Sequence, residues 1–441
     1  MEAIKGFGRM FYLINPNDTY IKNVEDVPDP DYVNQATPYF LTFILLEYFI
    51  QLYRGKPVAR INDGITSVSL GMMMICGKTV FLGLESYAYI KIYENLRIYE
   101  LPWDSPWTWY FTALGVDFGY YWVHRYAHEW NFFWAQHQVH HSSEDYNLTT
   151  ALRQSIFQGW VSWVFYLPLA FFVPPSIFLI HTQFNLVFQF WIHTETVDHL
   201  GPLEYILNTP RHHRIHHGSN RYCLDKNYAG VLIIWDRMFG TFVEEKPGEK
   251  IVYGLVEDVN SMNPFWLQLF YFPKSFSRML DLPSWSDKLC VLINGPGWSP
   301  GKPRLGDPLD CPEVPDRQKF DPKIPTWQTI YVILHFLVAL AVQDFLVKNV
   351  LAFSQLSVVL IVGYVIATLT SIGFVLENRP LGIYAELMRC SLTSLVLYVT
   401  NLGYPTPLTS AALTLFAAST VMWLAQYFLV ERIQLRKTKT N

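Results

Sequence analysis

Apolar stretches broken by short polar ones run through most of the chain. They fall at 38–53, 65–84, 107–123, 159–172, 177–192, 330–347, 350–376, 381–399 and 407–430, and about 20 such residues suffice for a helix to cross a bilayer. The last four are the cleanest and predict a four-span C-terminal bundle. Pro174 and Pro175 divide the central run, and the piece before them is short for a span, so it reads as a hairpin that enters the membrane and returns. The run at 65–84 carries Lys78. The expected fold class is all-α, a polytopic bundle of membrane helices.

Polarity also divides the chain into regions. Residues 1–36 are polar and lack the basic start and apolar core of a cleavable signal, so insertion must rest on internal segments. A membrane-embedded catalytic region is expected at 37–243. A Pro/Gly-rich connector outside the membrane follows at 244–328, with eight prolines between Pro296 and Pro325. The C-terminal bundle takes 329–430 and a basic tail 431–441. Arg432, Arg436, Lys437 and Lys439 follow the last span, and Arg211, Arg214, Arg221, Lys226 and Arg237 lie near the histidines described below. The positive-inside rule puts both regions in the cytosol, and four spans between them agree. Three earlier spans place the N-terminus in the lumen, where the sequon at Asn17 could be glycosylated. The last five residues resemble a dilysine retrieval signal of endoplasmic-reticulum membrane proteins, although a basic anchor reads the same.

Composition narrows the chemistry. The 441 residues are 51% hydrophobic and 16% charged, with net charge −4, which excludes nucleic-acid binding and disorder as whole-chain readings. The five cysteines are scattered and form no C-x-x-C pair, so neither a disulfide framework nor a thiolate zinc site is expected. Histidine is the exception to this even picture. Twelve of the thirteen lie between His124 and His217, about a fifth of the chain, and only His335 is outside.

Eight of them form three clusters: His124 and His128; His137, His140 and His141; His213, His216 and His217. Residues three and four apart share a helix face, so each cluster aims its imidazoles at one spot. Eight imidazoles crowded without metal would desolvate one another as neutral rings; two metal ions explain the set. The metalloprotease pattern H-E-x-x-H is absent, because Arg125 follows His124 and the acidic Glu129 comes after His128. Structural zinc sites close with four ligands and usually include thiolate, whereas imidazole suits iron equally. A redox pair can also reduce dioxygen to a species that breaks an unactivated C–H bond.

The triple motif H-x3-H, H-x2-H-H and H-x2-H-H, followed by NYAGVLIIWDRMFGTF at 227–242, resembles the fatty acid hydroxylase superfamily of non-haem di-iron membrane enzymes. Stretches 101–125, 140–155, 189–195, 201–218 and 295–306 resemble its glyceryl-ether-cleaving branch. That likeness covers the chain apart from the extreme N-terminus, with the C-terminal spans matching in hydropathy more than in residues. It implies a cytosol-facing di-iron site, O2 and tetrahydrobiopterin as co-substrates, and hydroxylation of the ether-linked carbon of an alkylglycerol in the endoplasmic-reticulum membrane. The resulting hemiacetal falls apart into a fatty aldehyde and a glycerol derivative.

His193 matches the superfamily's lone histidine before the third cluster and is either a ninth metal ligand or a residue supporting the ligands or substrate. His212 is expected beside the ligands or at the surface, and His181 and His199 fit no cluster. Asp117, seven residues before His124, shares its helix face and is expected to accept an imidazole N–H or to serve helix packing. Glu129 belongs to the site by resemblance, orienting an imidazole or relaying protons. Glu144 and Asp145 could partner imidazoles; Asn147 and Arg153 receive no assignment. Two rival readings remain open. One is a sterol or fatty-acyl hydroxylase or desaturase of the same superfamily, and the other a histidine-rich zinc transporter, whose ligands would line a path near the bilayer midplane.

Overall fold

The computed structural model describes residues 2–27, 31–80, 84–157, 159–403 and 405–440, with backbone alone at 84, 85, 160, 161 and 430–440. The regular elements of the described residues are all helices, without a strand, and the chain divides into two compact units. The first comprises 1–259 and 268–319, the second 260–267 and 320–441. Most of the proline-rich connector therefore belongs to the first unit.

The first unit holds α1 (Glu2–Arg9), α2 (Tyr32–Tyr53), α3 (Ile61–Val80), α4 (Leu84–Leu96), α5 (Pro106–Glu129), α6 (Asn131–His141), α7 (Gly159–Ser162), α8 (Pro175–Trp191), α9 (Pro210–His216) and α10 (Ile234–Phe239). Of the run predicted at 65–84, residues 81–83 lie outside the described residues. The expected hairpin at 159–172 is the short α7 followed by a tight 3₁₀ stretch, Trp163–Phe171, with Pro168 inside it. Proline removes one backbone donor and fixes φ, so a regular helix gives way there.

Helix α8 is the axis of this unit. Pro175 at its first turn suits a position whose N–H has no helical partner. Beyond it, apolar side chains leave in all directions, with Ile177, Ile180 and Phe184 in one apolar cluster, Phe178 in a second, Val187 and Phe190 in a third, and Phe188 and Trp191 in a fourth. A helix apolar all round is a buried helix. Its C-terminal end is thereby held at a fixed point, and His193 lies two residues beyond it.

The connector contributes α11 (Pro264–Leu269), α12 (Tyr271–Asp281) and α13 (Trp285–Ile293). Tyr271 donates to the side-chain oxygen of Asn131 at 2.7 Å, Asn131 donates to Ser275, and the Asn131 N–H donates to the Asn294 carbonyl at 2.8 Å. These bonds pin the first residue of α6 and with it the second histidine cluster.

The second unit is built from α14 (Thr326–Lys348), α15 (Gln355–Leu376), α16 (Leu381–Gly403) and α17 (Pro407–Thr440). Among the described residues α14, α15 and the α17 stretch Pro407–Leu429 are long and apolar enough to cross a membrane, which fits a multi-pass membrane protein. The predicted fourth span, α16, is as long, but Glu386 and Arg389 interrupt its apolar character. Both are buried and paired to each other, and Tyr331 and His335 from α14 bond to the pair. His335 also meets Ser419 of α17 at 3.0 Å. It is a satisfied polar group inside the bundle.

Candidate metal centre

Nine histidines converge, all of them buried, and they form two groups. His124, His128, His137, His141 and His216 make one; His140, His193, His213 and His217 make the other, and within each group the ligand atoms lie within 4.8 Å of one another. Helix periodicity explains much of the partition. The pairs His124/His128, His137/His141 and His213/His217 are four residues apart and each stays within one group. His140 and His216, about 100° around their helices from the next histidine, reach across to the other. His193 enters from the end of α8.

Backbone carbonyls orient four of the rings. The Nδ1 of His124 lies 2.7 Å from Tyr228 O, that of His140 3.0 Å from Arg153 O, that of His193 2.7 Å from Gln189 O and that of His216 2.9 Å from Lys226 O. A carbonyl can only accept, so Nδ1 carries the hydrogen and Nε2 is left with a lone pair, the usual way of orienting a metal-binding imidazole. Burial, with neighbouring imidazoles adding to it, pushes His137, His141, His193, His213, His216 and His217 well below their ordinary range and His140 down to about 4. These seven rings are therefore neutral. His140 Nε2 and His193 Nε2 then face each other at 3.2 Å with a lone pair on each, a repulsive contact that a cation between them turns into two bonds. The Nε2 atoms of His128 and His216 are buried without a hydrogen-bond partner. These nitrogens fit metal ions.

The Arg153 carbonyl owes its place to a buried network. The guanidinium donates to Asp63 at 2.7 Å, Ser67 at 3.1 Å and Ser142 at 2.9 Å. Gly71 of α3 lets the turn Leu148–Leu152 come close: a Cβ there would stand 2.6 Å from the Leu152 carbonyl oxygen.

Two carboxylates expected to serve imidazoles do not. Asp117 accepts from the Val231 and Leu232 N–H groups at 2.8 and 3.0 Å, from Trp235 Nε1 at 2.9 Å and from Asn185 at 3.0 Å. Seven residues are about 10 Å of helix, too far for a short side chain to reach the His124 ring, so the nearer amides of the returning loop take its oxygens. That loop carries Tyr228, whose carbonyl orients His124. Glu129 bonds Arg125 at 2.8 Å and pairs with Arg304; it ties the connector to the end of α5. Asp145 pairs with Arg60 and Lys319, and Glu144 with Arg60.

The remaining histidines stand apart. His181 bonds the Tyr12 hydroxyl at 2.7 Å, His199 bonds Glu204, and His212 packs on Phe242. His212 is buried rather than at the surface. Missing from the sequence reading were Asp63, the role of Arg153, which had been named without an assignment, and the carbonyls of Gln189, Lys226 and Tyr228. Asp63 beside an apolar run was a usable signal; the carbonyls left none.

The nine rings form one enclosed centre, not stations along a path, which removes the transporter reading's geometric basis. Comparisons with known proteins agree. Residues 109–241 match the fatty acid hydroxylase family model, and 328–417 match the alkylglycerol monooxygenase C-terminal domain. The alkylglycerol monooxygenase of Xenopus tropicalis is 53% identical over 394 residues, covering 89% of this chain and 87% of the relative. The chain belongs to the alkylglycerol monooxygenase family. The human alkylglycerol monooxygenase is 48% identical over 410 residues, covering 92% and 91% of the two chains. An ornithine lipid hydroxylase of Rhizobium tropici is 32% identical over 146 residues, covering 32% of this chain and 44% of that one. No solved structure matches. Family membership makes the protein a monooxygenase of lipid metabolism.

Proposed function

We propose that the protein is a di-iron monooxygenase of the endoplasmic-reticulum membrane, its centre and C-terminus cytosolic, that uses O2 and tetrahydrobiopterin to hydroxylate the ether-linked carbon of alkylglycerols. One oxygen atom enters the C–H bond and the other leaves as water, balanced by two electrons and two protons from the reduced pterin. The hemiacetal then breaks its C–O bond to give a fatty aldehyde and the glycerol derivative. Iron supplies the dioxygen chemistry. The nine histidines are its ligands, one ion to each group.

The protein's own residues hold and shield. Carbonyls of Gln189, Arg153, Lys226 and Tyr228 keep four rings turned inward. Asp117 acts as a positioning residue through the Tyr228 loop, and Glu129 through its clamp on Arg304. A narrow apolar cleft lined by Tyr120, Val123, Ala127, Phe133 and Phe165 abuts His124 and His137, a surface suited to an alkyl chain. The observation that carries the reading is the all-nitrogen double centre, with facing lone pairs, in a chain of this family.

Membranes containing the protein and its His140→Ala variant, given an alkylglycerol with and without tetrahydrobiopterin, test it. Aldehyde is expected from the first protein only, and only with pterin. Turnover without pterin overturns the co-substrate, and zinc in place of iron in active protein overturns the metal.

A further inference from the structure

A cavity of about 410 Å³, unlike the apolar cleft in its lining, has none of the nine histidines in its walls and meets the four-histidine group through Tyr146. Its walls include chain segments that leave the ligands: Tyr146 and Asn147 shortly after His141, Glu195 two residues after His193, and Arg214 next to His213. The Tyr146 ring is 5.2 Å from the His217 ring and 5.9 Å from that of His193, and it stacks on Tyr253 at 4.9 Å with 14° between the planes. The Tyr253 hydroxyl donates to Glu195 Oε1 at 2.9 Å.

The lining carries five carboxylates and five cations, several joined in pairs such as Arg214 with Glu245 and Lys250 with Asp316. So balanced a wall has no excess positive charge for a polyphosphate. It suits an uncharged, strongly polar molecule. The volume falls in the range of roughly 300–1,000 Å³ usual for cofactor sites. A flat aromatic wall with a carboxylate at its edge is complementary to a planar heterocycle bearing adjacent N–H donors, the ring lying on the tyrosine and its N–H edge on the carboxylate. A reduced pterin has that chemistry.

We propose that this cavity is the binding site of the reduced pterin, with Tyr253 as the stacking surface and Glu195 accepting from the pyrimidine N–H edge. The assignment rests on the pterin-dependent reading above and adds where the molecule sits. It gives the centre two neighbouring sites, an apolar one beside His124 and His137 for the lipid and a polar one on Tyr146, which packs near His193 and His217, for its water-soluble co-substrate.

The test is tetrahydrobiopterin binding to the iron-loaded full chain in nanodiscs, measured by anaerobic equilibrium dialysis, with Tyr253→Ala, Tyr253→Phe and Glu195→Gln alongside. Loss of a stacked ring or of a charged acceptor is expected to weaken pterin binding at least about tenfold in Tyr253→Ala and Glu195→Gln. Tyr253→Phe, which keeps the ring, should bind within about threefold of the parent, and iron content and the alkylglycerol KM should stay unchanged in all three. Pterin bound by the parent and equally by Tyr253→Ala and Glu195→Gln overturns the site alone. A raised alkylglycerol KM with unaltered pterin binding also overturns it and assigns the cavity to the lipid's headgroup. No pterin binding by the parent overturns the co-substrate reading itself.

Discussion

Arg153 has its guanidinium enclosed by Asp63, Ser67 and Ser142 and its carbonyl on the His140 ring. Removing one partner of such a buried pair strands the other charge, at a cost of about 3–5 kcal/mol. Asp63→Ala is therefore expected to lower unfolding stability by that amount and to release metal from the four-histidine group, read by thermal unfolding in detergent and by iron content. Asp236 shows a different effect at the same scale. It accepts from the Tyr228 and Ala229 N–H groups, both at 2.8 Å, and from Thr241, yet burial pushes its carboxyl up to about 6 from an ordinary 3.8. The folded state then holds the proton more tightly than the unfolded one, so its contribution to stability is present below pH 3.8 and lost as pH rises through 6. The interval is roughly two pH units at about 1.4 kcal/mol each. The stability of the parent relative to Asp236→Asn should fall by about 3 kcal/mol between pH 4 and pH 7, measured by denaturant unfolding at each pH.

Helices set what each histidine can reach. Helix α9 has seven residues, opens at Pro210 and carries His213 and His216, with His217 at its C-cap; four-residue spacing binds His213 to His217, and the neighbouring position sends His216 to the other group. Helix α16 illustrates the reverse, a polar requirement imposed on an apolar element. Its Glu386–Arg389 pair is buried between helices, with Arg389 Nε 3.1 Å from Glu386 Oε1 and Nη2 3.1 Å from His335 Nδ1. Arg389→Leu leaves a buried carboxylate without its cation and should cost about 3–5 kcal/mol, whereas the double variant Glu386→Leu/Arg389→Leu should come close to neutral. Thermal unfolding of the three proteins in one detergent distinguishes these outcomes.

At the scale of the whole molecule, the spans and the basic segments predict an orientation. In sealed vesicles with the cytosolic face outward, protease is expected to remove the C-terminal tail and leave the N-terminal segment protected; cleavage at the N-terminus instead overturns the lumenal placement. Much of this architecture was legible beforehand. Hydropathy announced α14, α15 and α17, and the histidine spacing announced eight of the nine residues that converge, because both signals are local: a span is a run of apolar residues, and a helix face is a repeat of three or four; His193 was reached only through the family resemblance. Other features were not. The imidazole contact expected as one alternative for Asp117 and for Glu129 is not what they make; they hold a loop and two arginines, since a carboxylate bonds whichever donors the fold brings nearest. By itself the sequence determined which side chains could bind metal and which segments could enter a membrane. Only the tertiary structure decided the division into five and four, the ring tautomers and the polar cavity beside them. These depend on backbone carbonyls and chain returns, and since nearly every residue offers the same carbonyl, no choice of side chain reveals which one will be used.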